Sequence, residues 1–319
     1  MENVELILIT WNSSRYLDRC FEGIRAQTVR PRLVVVDNAS TDGSVERAML
    51  ESPDLVIRNE RNEGFAKAAN QGFAATGSPF VCVLNPDVHL EPDYLERIIE
   101  AMEGAGRRVG TAAGKLLRGV GDGIERTPFV DSLGIRMTRS NRHFDIGAGE
   151  PDPGWGAPRE VFGVSGAAIV LRRELIEDVA IEGEVFDEDF FTYREDADLA
   201  WRARLFGWTS LCIPAATGSH VRTVTPEVRG TLPPIINYHG VKNRFLLRIK
   251  NAGPALLVRT LPRTLLRDLT VLGATATVER SSFPAWGWIV RNRQRILRKR
   301  RLIQSRRSVD DSRILEWFE

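Results

Sequence analysis

Residues 33–44 read Leu33-Val34-Val35-Val36-Asp37-Asn38-Ala39-Ser40-Thr41-Asp42-Gly43-Ser44. Four uninterrupted apolar residues are the mark of a strand buried on both faces, as in a parallel sheet covered by helices. The run then breaks into Asp, Asn, Ser and Gly, which favour turns. Asp42-Gly43-Ser44 passes into a short helix carrying Val45 and Met49. A buried strand, a polar turn and a helix make one repeating unit, and its neighbours repeat it. Before it, the apolar run Leu6 to Ile9 precedes Leu17, Cys20, Phe21 and Ile24 at helical spacing, with Ser13 or Ser14 as N-cap. After it come a strand over Leu55 to Ile57, an Ala-rich helix over 64–76, and a strand over Phe80 to Leu84. Pro92 then opens a helix bearing Leu95, Ile98, Ile99 and Met102.

Residues 118–160 are rich in Gly, Pro, Arg and Asp and read as a long loop, which in a compact domain is functional or disordered. Ala167 to Leu171 reads as a strand. A helix through Leu199, Arg202 and Leu205 ends at Gly207, and a strand over Ser210 to Ile213 ends at Pro214. Past about residue 225 the pattern turns helical and basic.

The chain has 319 residues, 43% apolar and 27% charged, which excludes wholesale disorder. Arg259, Arg263 and Arg267 interrupt the Leu-rich stretch 254–278, so no membrane span is expected. Glu2 and Glu5 stand where a signal peptide would be basic, so none is expected. Three distant cysteines, Cys20, Cys82 and Cys212, argue against a disulfide framework or zinc cluster and fit a reducing cytosol. Residues 241–319 carry 18 Lys and Arg against 6 Asp and Glu, while the whole chain is only +2. An acidic body with a basic tail suits an anionic partner, membrane lipid or nucleic acid.

In an open parallel sheet, ligands bind outside the carboxyl ends of the strands. Thr10-Trp11-Asn12, Asp37-Asn38-Ala39-Ser40 and Asn85-Pro86-Asp87 all fall at such ends. Neither GxGxxG nor GxxxxGK[ST] occurs, so a dinucleotide fingerprint and a P-loop are unsupported. Asp37 can accept a hydrogen bond from the N–H of a uracil, thymine or guanine edge. Asp87 can hold a hard divalent cation, with phosphate oxygens and another protein ligand completing the shell. Glu188 to Leu199 interleaves acids with Phe190, Phe191 and Tyr193, placing carboxylates beside aromatic walls as a general base for a sugar hydroxyl requires. His220 follows shortly after. His89, His143 and His239 carry no comparable signal.

The stretches ILITWN, VVVDNASTDGS, NEGFAKAANQG, VLNPDV, VFGVSGAAIVLRREL, FDEDFFTYREDADLAWRARLFGW and TGSH, in this order over roughly residues 4–222, resemble the family-2 inverting glycosyltransferases, and among them the rhamnosyltransferase-like branch. The resemblance implies a GT-A fold: α/β, Rossmann-like, a mostly parallel sheet with helices on both faces, plus a helical basic C-terminal extension. It divides the chain into a glycosyltransferase domain over 1–225, with a nucleotide-sugar half (1–117) and an acceptor half (118–225), and an extension over 226–319.

Roles follow from the same resemblance. Thr10, Asn12 and Asp37 would line the nucleoside pocket. Asn62, Gly64, Lys67 and Asn70 would lie along ribose and pyrophosphate, with Gly64 permitting close backbone approach. Asn85-Pro86-Asp87 stands at the family's Asp-x-Asp metal motif, with Asn85 in place of the first Asp, and Asp87 and His220 would bind Mg²⁺ or Mn²⁺. Asp196 matches the catalytic base, Glu195 would position the acceptor, and Gly166 would border it. The implied donor is dTDP-rhamnose or a UDP-sugar of glucosyl or galactosyl type. The implied acceptor is a glycan or lipid-linked sugar of cell-surface glycan synthesis, made at the cytoplasmic leaflet.

Two readings compete. A sugar nucleotidyltransferase would carry a Gly-rich loop after the first strand, and Thr10 to Ser14 contains no glycine. A nucleic-acid-binding protein led by the basic tail leaves the acidic cluster unexplained, so nucleic acid is not the expected partner. In the tail, Leu257, Leu261, Leu265 and Leu269 lie opposite Arg259, Arg263 and Arg267, and Pro262 predicts two helical pieces or a kink. Trp286 and Trp288 precede the basic run Arg291 to Arg301, which suits peripheral attachment to an anionic membrane. The Leu-rich segment could equally dock on the catalytic domain or serve as an oligomer element.

Overall fold

The computed structural model describes residues 4–154, 156–222, 233–277 and 279–319. The first half alternates β1 (Val4–Thr10), α1 (Ser14–Arg25), β2 (Arg32–Asp37), α2 (Ser44–Met49), β3 (Leu55–Arg58), α3 (Phe65–Ala74) and β4 (Phe80–Leu84). A short β5 (Val88–Leu90) and α4 (Tyr94–Gly104) follow, the helix starting two residues beyond Pro92. Strands β1 to β4 pair in parallel in the order β3-β2-β1-β4. Register brings Thr10 beside Asp37, so the polar ends of β1 and β2 open on one edge.

The buried strands explain why the core has two layers. Successive side chains point to opposite faces. Leu6, Leu8, Val35, Cys82 and Leu84 pack with Leu17 and Phe21 of α1 and Ile98 of α4. Ile7, Ile9, Val34, Val36 and Val83 pack on the other face with Ala68, Ala69 and Phe73 of α3. Gly72 of α3 is held to glycine by this contact, since a Cβ there would stand 2.5 Å from Ile7.

The stretch expected as a long loop is largely strand. It contains the end of β6 (Val109–Val120), β7 (Glu125–Ser132), the hairpin β8 (Ile135–Met137) and β9 (His143–Asp145), and β10 (Arg159–Val161). Beyond these lie β11 (Ala168–Arg172), α5 (Arg173–Val179), α6 (Glu195–Leu205) and β12 (Thr209–His220). β11 runs antiparallel between β4 and β6, and β12 parallel to β6. The full mixed sheet reads β10-β12-β6-β11-β4-β1-β2-β3. β12 does not stop at Pro214: the proline sits where the register with β6 shifts between Ile213 and Thr217, so its missing N–H breaks no regular ladder.

Four helices and a terminal turn complete the chain: α7 (Pro234–Asn251), α8 (Pro254–Thr277), α9 (Phe283–Arg291), α10 (Arg293–Arg306) and α11 (Asp311–Leu315). Leu246, Leu247, Ile296, Ile303 and Phe318 join the core shared with α6 and the sheet. α8 runs through Pro262 as one helix. Its buried stripe is Leu256, Thr260 and Thr264, and Asn141 before β9 donates to both threonine hydroxyls. The expected leucine face is exposed instead, at Leu261, Leu265 and Leu269. The cations of α10 also fall differently from a free membrane-facing run. Lys299 is buried against Glu184 and Asp187, Arg295 pairs with Asp189, and Arg298 pairs with Glu182. Trp286 packs on Phe245, and Trp288 lies under the Lys242 ammonium. Among the described residues no helix is long and apolar enough to cross a membrane.

Candidate active site

At the β1–β2 edge, Asp37 is buried and its carboxylate accepts three hydrogen bonds: from Thr10 Oγ1 (2.7 Å), the Ser40 amide (2.9 Å) and Ser40 Oγ (2.5 Å). A carboxylate offers about four lone-pair sites, so one direction stays open. Asn12, at φ 48°, receives the Thr41 amide on its Oδ1 and donates its own amide to Ser40 Oγ. The first helix is capped from across this crevice, because Asp42 accepts the Ser14 amide while the expected cap, Ser13, turns its hydroxyl back to Trp11 O.

The residues preceding and opening α3 are committed locally. Asn62 Oδ1 takes the Gly64 amide, and Lys67 pairs with Glu63. Asn70 gives its NH₂ to Phe186 O and receives the amides of Val185 and Phe186, so it ties α3 to the loop before α6. Gly64, at φ +86°, is demanded by Phe191, whose ring would stand 2.6 Å from an added Cβ. The close approach expected there is thus made by the protein itself.

Asp87 and His220 do come together. Asp87 Oδ1 lies 3.5 Å from His220 Nε2 and is buried with no hydrogen-bond partner among the described residues. The other ring nitrogen, Nδ1, is held by Asp131 Oδ2 at 2.8 Å, and Arg222 clamps Asp131 in turn and reaches Asp145. Burial disfavours the imidazolium, but Asp87 and Asp131 outweigh it and raise the His220 pKa to about 10. An orphaned carboxylate oxygen facing an imidazole nitrogen, with the second nitrogen fixed by a carboxylate, is the donor arrangement of a divalent metal centre. These residues fit Mg²⁺ or Mn²⁺ supplemented by ligand oxygens, since no group of three or more His, Cys, Asp or Glu among the described residues could hold an ion alone. Asn85 adjoins them, its amide bonded to Ala167 O. Asp131 gave no sequence signal, because it lies in the stretch read as loop.

The acidic cluster opens α6. Phe191, Tyr193 and Arg194 all take positive φ, a conformation costly for side-chain-bearing residues. Helix α7 holds this turn: Asn243, fully buried, donates to Phe190 O, Thr192 O and Tyr193 O. His239 stacks on Phe191 at 5.0 Å. Asp196 Oδ2 accepts the Gly166 amide at 3.2 Å, which aims its carboxylate. Burial raises the pKa of Asp196 and lifts Glu195 to about 8, helped there by the neighbouring Asp196 charge. Glu195 Oε2 has no hydrogen-bond partner among the described residues.

Both acids open into a cleft of about 1070 Å³ that reaches Asp131 and Arg222 and is walled by the β8–β9 hairpin, α7 and α8. His143, which carried no sequence signal, lines it beside Arg194. None of Thr10, Asn12, Asp37, Asn62, Gly64, Lys67 or Asp87 does. Asp87, just beyond β4, thus faces His220, which is bonded to Asp131 at the edge of the cleft containing the acids.

Comparison with known proteins bears on the fold and the family of the first half. The family model described as Glycosyl transferase family 2 matches residues 5–150. The putative glycosyltransferase EpsH of Bacillus subtilis is 30% identical over 30% of this chain and 29% of its own length. The succinoglycan biosynthesis protein ExoO of Rhizobium meliloti is 32% identical over 34% of this chain and 32% of its own. The chain thus spans about a third of the length of these curated relatives. In fold, it resembles the mannosyltransferase PcManGT of Pyrobaculum calidifontis, solved with GDP-Man and Mn²⁺, at a TM-score of 0.56 and 18% identity over 95% of this chain and 83% of that one. Residues 5–150, which carry the parallel strands, Asp37 and Asp87, match the glycosyltransferase family 2 model, and the chain has a GT-A-like α/β fold.

Proposed function

We propose that the protein is a metal-dependent inverting glycosyltransferase that moves a sugar from a nucleoside-diphosphate donor to a hydroxyl of a glycan or lipid-linked acceptor in polysaccharide synthesis. The observation that carries the reading is the orphaned Asp87 carboxylate facing His220, whose other nitrogen is held by Asp131 at the edge of the cleft that contains Asp196. The donor nucleoside lies at Thr10, Asn12 and Asp37, with Asn62, Gly64, Lys67 and Asn70 on the same side. Asp87 and His220 would hold a divalent cation, which would supply positive charge to offset that growing on the leaving diphosphate.

Asp196, aimed by the Gly166 amide, takes the proton of the acceptor hydroxyl as that oxygen attacks the anomeric carbon from the face opposite the diphosphate. A single displacement inverts the centre. Glu195, whose carboxyl titrates near 8, is protonated at neutral pH and serves as a hydrogen-bond donor to the acceptor rather than as the base. Rhamnose from dTDP-rhamnose is the leading donor, on the sequence resemblance, and a UDP-sugar the alternative.

The chain is assigned to the inner face of the cytoplasmic membrane, peripherally. Support comes from α8, which exposes Leu261, Leu265 and Leu269 together with Arg259 and Arg263. Apolar residues beside cations suit an anionic lipid interface.

Thermal shift with UDP, dTDP and GDP, each with Mn²⁺ or EDTA, tests the donor side. Stabilisation by at least one nucleotide only with metal is the expected result, and stabilisation by none refutes the transferase reading. The nucleotide that stabilises most then directs a screen of its sugars.

A further inference from the structure

The cleft beside Asp196 is rich in guanidinium groups. Arg118, Arg142, Arg244 and Arg267 all line it. Arg118, Arg244 and Arg267 each keep a buried guanidinium nitrogen without a hydrogen-bond partner among the described residues, and Arg244 keeps two. Arg244 is 94% buried, being 6% exposed. One carboxylate, Asp268, serves both Arg244 at 3.6 Å and Arg248 at 2.6 Å. Two of the acids that line the cleft, Asp131 and Asp145, are paired with Arg222.

A buried guanidinium left short of acceptors costs free energy, and crowding by like charges adds to that cost. Burial, then the charges of Arg267 and Arg142, hold the Arg244 pKa down to about 10. A planar guanidinium fork matches phosphate oxygens in geometry and charge. These arginines come from four separate elements, β6, the β8–β9 hairpin, α7 and α8, and converge on one cleft. Convergence on the cleft that contains the acids, away from the nucleotide crevice, places the anion on the acceptor and not on the donor.

We infer that the cleft binds a phosphate or diphosphate group of the acceptor through Arg118, Arg142, Arg244 and Arg267, so that the acceptor is a phosphorylated glycan or glycolipid. This rests on the glycosyltransferase reading above for which substrate the anion belongs to, but not for the anion site itself. α8 contributes Arg267 to the cleft while exposing its leucines outward, so a phosphate carried on lipid would reach the arginines along the inner side of the helix.

The full chain is titrated in EDTA, where the Asp87–His220 pair has no cation with which to recruit an anion. The probes are inorganic pyrophosphate, farnesyl diphosphate, a glycerol-phosphate oligomer and a neutral oligosaccharide. Saturable binding of the phosphate-bearing probes, but not of the neutral one, is expected, without competition from the nucleotide found by thermal shift. Arg267→Gln, on the half-buried side of α8, is expected to weaken it about tenfold, and Arg244→Gln with Arg267→Gln about a hundredfold, each lost charged hydrogen bond accounting for roughly a factor of ten.

Arg244→Lys keeps the charge where the glutamine variant fails to fold, and is expected to retain part of the affinity. Tightest binding by farnesyl diphosphate identifies a lipid-borne phosphate, and tightest binding by the oligomer a phosphodiester glycan; both support the site. Binding that needs Mn²⁺, is displaced by the nucleotide, or is unchanged in the arginine variants overturns it. If no nucleotide stabilises the chain while pyrophosphate still binds at the arginines, the transferase reading fails and the anion site stands.

Discussion

At the β1–β2 edge, polar atoms are satisfied before any ligand arrives: Asp37 accepts three hydrogen bonds, and Asn12 and Asp42 knit the neighbouring turns. Across the sheet, at the start of α6, Glu195 Oε2 is buried without a hydrogen-bond partner among the described residues, and so are guanidinium nitrogens of Arg118, Arg244 and Arg267, which line the same cleft. On the proposed reading, the first region is a preformed cradle that a cation would complete. The second holds a neutral carboxyl and desolvated guanidinium charge that a substrate could complete, which is how a site makes its interactions in the reacting complex rather than in the empty one. Such charge has to be held in place, and the C-terminal helices hold it. Lys250 and Lys299, from α7 and α10, are fully buried against Asp187 and Asp189, and Asn243 binds three carbonyls of the turn before Glu195.

Replacing the base should separate the two regions most sharply. Asp196→Asn is expected to lower kcat by about 10²–10⁴-fold, roughly 3–5 kcal/mol of barrier, while leaving metal-dependent nucleotide binding near wild type. Asp87→Ala should weaken nucleotide binding as well, measured by titration in Mn²⁺. Near-normal turnover of Asp196→Asn would transfer the base role to Glu195 and dissolve the proposed division.

Next in size is the clamp. Lys299→Met leaves Asp187 with Lys250 alone and Glu184 without its ammonium, and breaking a buried ion pair from one side costs about 3–5 kcal/mol. Denaturant unfolding should register this as a large drop in midpoint. A drop below about 1 kcal/mol, the scale of exposed pairs, would mean that α10 does not brace the catalytic turn.

The contrast between the regions also explains what the sequence showed. β1, β2 and β4 are buried on both faces, so each reads as an unbroken apolar run, and the polar residues that follow mark the crevice. β7 has an outer half that is mostly exposed, contains Pro128 and carries no such run, so Asp131 was invisible within it. The tail misled in a different way. Composition counts charges but not their partners, and Lys299 and Arg295 meet Asp187 and Asp189 only through folding. The aromatic and acidic residues of 188–198 did mark the turn proposed as catalytic, although the helix that secures it, α7, lies some fifty residues further on.

Titration offers a gentler separation. Glu195 in the folded chain ionises near pH 8 rather than at an ordinary glutamate's 4.5. The folded state therefore holds a proton that the unfolded state has released, and this contribution to stability is full below pH 4.5 and is lost as pH rises towards 8. Glu195→Gln removes the dependence. Its Tm relative to wild type should climb between pH 5 and pH 8. Parallel Tm profiles for the two proteins would show that Glu195 finds a partner in solution and that the charge stored at α6 is smaller than its burial implies.

The smallest effect on stability is expected on the outer wall of the cleft, where α8 departs from α10. Leu261, Leu265 and Leu269 are 56%, 52% and 58% exposed, so their replacement by Gln uncovers little new surface. Surface substitutions of this kind shift stability by about 0.5 kcal/mol or less. The same three leucines dominate the outward face of a helix whose Arg259 and Arg263 are also exposed, and partitioning into a lipid interface scales with the apolar area inserted. The triple variant should therefore unfold at the wild-type temperature yet lose sedimentation with vesicles containing anionic lipid. Arg298→Gln on α10, whose guanidinium is paired with Glu182, should sediment as wild type does. Reversed results, with α8 silent and α10 required, would return the membrane contact to the basic run. Loss of stability in the leucine variant would show instead that another protein surface covers α8 in solution, which a change in oligomeric state would then reveal.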